Sequence, residues 1–206
     1  VDANTGSITS ITFADEAAVQ ASAAAVGDGA IAANSITMTD DAVTNASIAT
    51  VATNITKFIA GEVDITLDNE TQLNTGLTAN ATFLTDDAIA AASVNLTDGT
   101  ITATTQARVL TSIAKFATDA VSAITFADDA AVQAAATPIA NAAIAADSIT
   151  VTNGAISTSQ AAVIANITKF KDDQVTGITF ADEAAVETAA AAVGDGAIAA
   201  NSITMT

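Results

Sequence analysis

The tripeptide Ile-Thr-(large apolar residue) returns along the chain at nearly regular intervals, and it constrains the fold more than any other feature. It stands at Ile11-Thr12-Phe13, Ile36-Thr37-Met38, Ile65-Thr66-Leu67, Ile124-Thr125-Phe126, Ile149-Thr150-Val151, Ile178-Thr179-Phe180 and Ile203-Thr204-Met205. Val94-Asn95-Leu96 fills the one remaining slot, and the steps between first residues are 25, 29, 29, 30, 25, 29 and 25. A fixed period in this range marks an architecture in which each repeat is one supersecondary unit that buries its apolar face against its neighbours.

Residues 11–35 serve as the type unit. Ile11 and Phe13 alternate with Thr12 and Ala14, the period-two pattern of a short half-buried strand. Asp15 is a good helix N-cap, and Glu16 suits the positive end of the helix dipole. The Ala-rich run from Ala17 to Ala25 has no Gly or Pro, and Val19, Ala23 and Val26 form one narrow apolar stripe. Gly27-Asp28-Gly29 turns the chain, and residues 30–35 return to the next strand. Asp40-Asp41, Asp128-Asp129 and Asp182-Glu183 are read as further acidic helix starts, with Asp68, Asp98 and Asn153 in nearby slots. Pro138, the only proline, is expected to end its helix early.

Longer repeats carry a second motif: Val51, Ile55, Lys57-Phe58; Val109, Ile113, Lys115-Phe116; Val163, Ile167, Lys169-Phe170. Its i, i+4, i+7 spacing predicts a helix lengthened by about one turn, with Lys favourable at its own C-terminus. Six of the seven Phe residues occupy two slots of this grammar, which makes them core residues. Phe83 is the exception. It lies in an irregular stretch, 69–98, where Phe83-Leu84-Thr85-Asp86-Asp87 reads as a strand-to-helix junction out of phase, left either as an insertion or as a register change. Above the short repeat stands a longer one. Residues 11–39 match residues 178–206 at all but three positions, so the chain reads as a segment of a longer protein built from blocks of about 167 residues.

Together these patterns predict an α/β fold: a right-handed solenoid of strand-helix repeats of 25–30 residues, parallel sheet on one side and helices on the other, spanning residues 1–206 as a single segment. Parallel strands lie roughly 4.8 Å apart, so eight of them would build a rod segment on the order of 40 Å long.

Composition narrows the function. Twenty-three acids face five bases, for a net charge of −18. Nucleic-acid binding needs a basic face, and anionic membrane surfaces repel such a chain. There is no Cys and no His, so thiol nucleophiles, Ser-His-Asp chemistry and Cys/His metal sites are not available to this sequence. No run approaches the roughly 20 apolar residues of a membrane span. The acids recur with the repeat and have no partner base, so no catalytic constellation forms. Asn54-Ile55-Thr56, Asn80-Ala81-Thr82 and Asn166-Ile167-Thr168 fit the N-glycosylation acceptor pattern.

Two files of residues are candidate surfaces. Thr12, Thr37, Thr66, Thr125, Thr150, Thr179 and Thr204 point away from the apolar side and are expected to form an exposed Thr ladder, with Asn95 in the eighth place. Such a ladder serves strand propensity, a docking face, or ice binding. The acidic file offers Asp15, Asp40, Asp41, Asp128, Asp129 and Asp182 as candidate calcium ligands bridging repeats, although neither the EF-hand nor the glycine-rich nonapeptide calcium spacing is present. Calcium is the only cofactor this pattern suggests.

The units Ile-Thr-Phe-Ala-Asp-Glu-Ala-Ala-Val and Ile-Thr-Met-Thr-Asp-Asp-Ala-Val resemble the Ala/Thr/Asp-rich repeats of giant bacterial surface proteins, adhesin-like and S-layer-like, notably from aquatic bacteria and cyanobacteria. The resemblance covers nearly the whole chain. It implies an extracellular or cell-surface structural role in filaments or coats, with copies of the chain itself as partners. An adhesin or fibre module binding glycan or ice is the alternative. Leucine-rich repeats share the strand-plus-helix plan, but their Leu-x-x-Leu-x-Leu-x-x-Asn signature is absent.

Overall fold

A computed structural model describes residues 5–206 as a mixed α/β protein in which every strand pairing is parallel. It divides into two compact units: residues 1–98 with 114–117, and residues 99–113 with 118–206.

The first unit holds β1 (Ile11–Phe13), α1 (Glu16–Ala21), α2 (Ala23–Gly27), β2 (Ile36–Met38), β3 (Ala42–Val43), α3 (Ile48–Thr53), β4 (Val63–Leu67), α4 (Glu70–Ala79) and β5 (Ile89–Leu96). Its sheets are β1-β2 and β3-β4-β5. Each Ile-Thr-apolar tripeptide is a strand, as its alternation demands. In β2, Ile36 and Met38 are buried while Thr37 is half-exposed, and β4 alternates buried and exposed along its whole length. Identical positions pair: Ile11 with Ile36, Thr12 with Thr37, Phe13 with Met38.

The 29-residue step has two different origins. From β4 to β5 it is a true crossover, since Ile65 pairs with Val94 and Thr66 with Asn95. From β2 to β4 it is not. Ile36 bridges Phe58, and Val43 pairs with Ile65, each 22 residues on (36 to 58, 43 to 65). The other seven residues carry the chain from β2 into β3. The residues after Asp40-Asp41 therefore form a second short strand, not the helix expected there; α3 begins only at Ile48. An apolar pair followed by Thr and Asn supplies two strand positions and a turn before any helix former arrives.

The second unit repeats this plan with β6 (Thr100–Ile101), α5 (Gln106–Thr111), β7 (Ala123–Phe126), α6 (Asp129–Ala134), α7 (Ala136–Ile139), β8 (Ile149–Val151), β9 (Ala155–Ile156), α8 (Gln160–Ala165), β10 (Gly177–Phe180), α9 (Glu183–Thr188), α10 (Ala190–Val193) and β11 (Ile203–Met205). Its sheets are β6-β7-β8 and β9-β10-β11. Here too Asp98 and Asn153 precede short strands, β6 and β9, and not helices. Gly99 and Gly154 follow them, where a Cβ would lie 2.2 Å from the Ala120 carbonyl oxygen and 1.9 Å from that of Gln174. Only glycine admits so close a backbone approach.

The Ala-rich runs break into two short helices. Ser22, Ala135 and Ala189 stand at the breaks, and each N–H is shared between carbonyls three and four residues back. Ser and Ala serve alike there, so the break does not come from the residue occupying it. It does not come from Pro138 either. The break at Ala135 precedes the proline, and Pro138 sits in the first turn of α7, where its missing N–H costs little.

The Lys-Phe motif is a separate 3₁₀ turn, Ile55–Lys57 and Ile167–Lys169, set off from the helix by Asn54 and Asn166. Phe83 lies in the corresponding turn, Phe83–Thr85, after the longer α4. Phe83 is therefore not at a strand-to-helix junction. The irregular stretch is both an insertion and a register change: α4 has ten residues against six in α3, and Val63 pairs with Ile89 whereas Ile65 pairs with Val94. A Cβ on Gly76 would sit 3.0 Å from both Phe83 and Ile48, so that glycine lets the Phe83 ring in.

Left-handed backbone recurs in two slots. Gly6, Gly61, Asp119 and Asp173 each stand two residues before a bridged Ile or Val; Asn34, Ala92, Asp147 and Asn201 form the second set. Gly, Asn and Asp tolerate this conformation, whereas Ala92 is strained in it.

Candidate functional site

The seven threonines lie on the open face, Thr37 and Thr150 half-buried and the others exposed. They do not form one continuous ladder. Thr12 pairs with Thr37, Thr125 with Thr150 and Thr179 with Thr204, while Thr66 pairs with Asn95. The file is cut after each pair because the next strand bonds to the short extra strand instead: β4 to β3, and β10 to β9. The hydroxyls bond one another within the pair, Thr12 to Thr37 at 2.8 Å and Thr179 to Thr204 at 2.7 Å. Two shallow hollows open on this face in the second unit. One of about 390 Å³ includes Ser157, Thr176, Thr179 and Thr204; the other, about 370 Å³, includes Thr100, Thr102, Thr125 and Thr152.

The strand edges are closed by side chains. The Met38 N–H donates to the Glu62 carboxylate, and the Val151 N–H to Gln174 Oε1 at 2.9 Å. A side-chain acceptor at that place substitutes for a further strand and blunts the edge.

Each acid of a pair does a different job. Asp15, Asp128 and Asp182 cap their own helices, accepting from the N–H of Ala18, Ala131 and Ala185 at 2.8–3.0 Å. In two pairs the second acid reaches across to another helix. Glu16 accepts from the Thr44 N–H and hydroxyl, both at 2.6 Å, and from the Ser47 hydroxyl, ahead of α3. Asp129 does the same ahead of α8: it accepts from the Ser157 hydroxyl, from N–H and hydroxyl of Thr158, and from N–H and hydroxyl of Ser159. Ser47 and Ser159 themselves make no side-chain cap. Burial works to raise the pKa of both acids, but the donated hydrogen bonds outweigh it, and both end below the ordinary carboxylate range. Asp40 accepts locally from the Ala42 N–H at 3.3 Å. Partial desolvation and the charge of Asp41 push Asp64 upward. Among the described residues no three or more acids gather where a metal ion could sit.

Lys57, Lys115 and Lys169 bond backbone carbonyls. Lys57 Nζ donates to Val26 O and, at 2.8 Å, to Asp28 O, at the end of α2. Lys115 Nζ donates to Asp86 O at 3.0 Å and to Ile89 O. Lys169 Nζ donates to Asn141 O, just beyond α7. Each lysine thus caps an earlier helical turn, not the end of its own. Burial lowers the Lys169 pKa, and Asp119 opposes that shift. The sequon asparagines are likewise engaged: the amide nitrogens of Asn54, Asn80 and Asn166 donate to carbonyls at 2.9–3.0 Å.

An apolar groove recurs in the second unit. Gln106, Ala107 and Leu110 of α5 face Phe126 and Ala131, Ala134 and Ala135 across about 350 Å³; Gln160, Ala161 and Ile164 of α8 face Phe180, Ala185 and Ala189 across about 310 Å³.

No protein-family model, curated protein or solved structure matches the chain. Among the described residues no helix is long and apolar enough to cross a membrane.

Proposed function

We propose that this is a structural repeat protein of the cell surface, a right-handed solenoid segment that assembles with copies of itself into an extracellular rod, filament or coat. Its role is mechanical, not catalytic. One observation carries the reading: five charged side chains join one repeat to another. Glu16 and Asp129 cap the following repeat's helix, and Lys57, Lys115 and Lys169 cap an earlier helical turn. Binding proteins and enzymes gather such groups at one place; here they are distributed along the sequence, in corresponding places of different repeats. The resemblance to Ala/Thr/Asp-rich surface repeats supports the extracellular location. Sedimentation and negative-stain microscopy at rising protein concentration test it: elongated, growing particles are expected, and a monomer at all concentrations would refute self-assembly. Calcium bridging belongs to the same reading, and a lower melting temperature in a chelator is its test.

A second reading, an adhesin or fibre module for glycan or ice, is supported by the paired hollows on the Thr face. Replacing Thr37, Thr150 and Thr179 with glutamate would then abolish glycan-array or ice-recrystallisation activity and leave the circular dichroism spectrum unchanged. Activity that survives the substitutions removes the Thr face as the site.

A further inference from the structure

Residues 11–39 and 178–206 have nearly the same sequence and the same elements, yet none of the described residues covers one face of the second copy. Met38 is 7% exposed and its counterpart Met205 is 62% exposed. Val19, Val26 and Ile36 are fully buried, while Val186, Val193 and Ile203 are half-exposed. The polar groups differ in step. Glu16 holds three donors from Thr44 and Ser47, and Glu183 accepts no hydrogen bond among the described residues. Val26 O and Asp28 O receive Lys57, but among the described residues no lysine reaches Val193 O or Asp195 O. Ile36 O accepts from the Ile59 N–H, and Met38 N–H is taken by Glu62; among the described residues the same atoms of Ile203 and Met205 bond to no other strand or side chain.

What covers the first face is known atom by atom: residues 40–62. In the second unit the corresponding groups of β8 are covered by residues 153–174, with Asp129, Lys169 and Gln174 in the same parts. We propose that the face formed by Ile203–Met205, Val186, Val193 and Glu183 is a docking surface for a strand–turn–helix segment of the chemistry of residues 40–62. The partner segment brings a hydroxyl-bearing helix start for Glu183, a lysine for the carbonyls of Val193 and Asp195, and a carboxylate or amide for the Met205 N–H. Its Val and Ile side chains cover Ile203 and the two valines, and its Phe bridges Ile203 as Phe58 bridges Ile36. Main-chain pairing to an open strand edge supplies affinity, and the side-chain pockets supply selectivity. The inference rests on reading the chain as a repeat protein.

The test is peroxide oxidation of methionine, followed by peptide mass spectrometry, because the chain carries its own control. In the full chain Met205 should oxidise at least tenfold faster than Met38. In the full chain extended beyond Thr206 by a copy of residues 40–62, Met205 should slow to the Met38 rate. Glu183→Gln should restore fast oxidation in the extended chain and leave the unextended chain unchanged. Equal Met205 rates with and without the extension, or indifference of the extended chain to Glu183→Gln, would overturn the proposal. Sedimentation of the unextended chain reports separately on the rod reading: self-association of that chain, with an extension that leaves Met205 fast, sinks the docking surface alone, and Met205 protection by the extension, with an unextended chain that stays monomeric, sinks self-assembly alone.

Discussion

Two stretches, residues 11–39 and 178–206, differ at only three positions, yet their strands swap roles. In the first, β1 is half-buried at Ile11 and Phe13 while β2 is closed over. In the second, β10 is buried at Ile178 and Phe180 while β11 is open. The sequence of a repeat fixes which side chains face the helices. Whether those side chains reach water depends on what is paired beside them, and that is a property of the neighbour.

Matched substitutions should separate the two effects. The largest difference is expected for isoleucine truncation. Ile36→Ala should cost about 2–5 kcal/mol, as for a buried aliphatic side chain. Ile203→Ala, already half-exposed, should cost less than about half of that by the same area argument, as read from paired urea melts. Next comes a half-buried cation. Lys57→Met should destabilise by roughly 1.5–3 kcal/mol, because it removes charged hydrogen bonds to the carbonyls of Val26 and Asp28. Since the acceptors are carbonyls and not carboxylates, added salt should change this loss little. That is checked by repeating the melts at high ionic strength.

The acids give a smaller and pH-dependent contrast. Glu16→Ala should cost about 1 kcal/mol as the loss of a helix cap, and Glu183→Ala should stay within about 0.5 kcal/mol. The Glu16 pKa is lowered in the folded state, so its contribution is full above the ordinary carboxylate value of about 4 and is lost as pH falls through the folded value. Asp129 behaves with the same sign. Asp64 has the opposite sign: its raised pKa means the folded state loses stability as pH rises from the unfolded value through the folded one. Asp64→Asn should therefore stabilise slightly near neutral pH, seen as a higher urea midpoint. The smallest expected effect is a gain. Ala92 occupies the left-handed slot that Asn34 and Asn201 fill in the two matched stretches. Ala92→Gly should stabilise by up to about 1 kcal/mol in a thermal melt; no gain would mean that the slot is not strained.

Much of this was legible in the residues. Alternation at Ile-Thr-apolar is local, so the strands stand where the tripeptides stand. Asp15, Asp128 and Asp182 cap helices because the capped N–H is only three residues away. The short strands Ala42–Val43, Thr100–Ile101 and Ala155–Ile156 were not legible, since two residues carry no period. A spacing of 29 could not reveal that it hides a 22-residue pairing offset plus a sideways step. The left-handed slots left a usable signal, Asn, Asp or Gly at fixed offsets from the bridged Ile or Val, which periodicity in apolar residues alone does not register.

The sequence by itself determined the strands, the inward face of each, the capping acids and the aromatic core, because each follows from neighbours a few residues apart. Tertiary structure alone decided how many strands join before a sheet stops, which acid caps which helix, and where each lysine goes. The Glu16 carboxylate and its hydroxyl partners lie 28 and 31 residues apart, and the Lys57 ammonium lies 29 residues from the Asp28 carbonyl it caps. Such contacts form only once parallel pairing has brought distant repeats side by side.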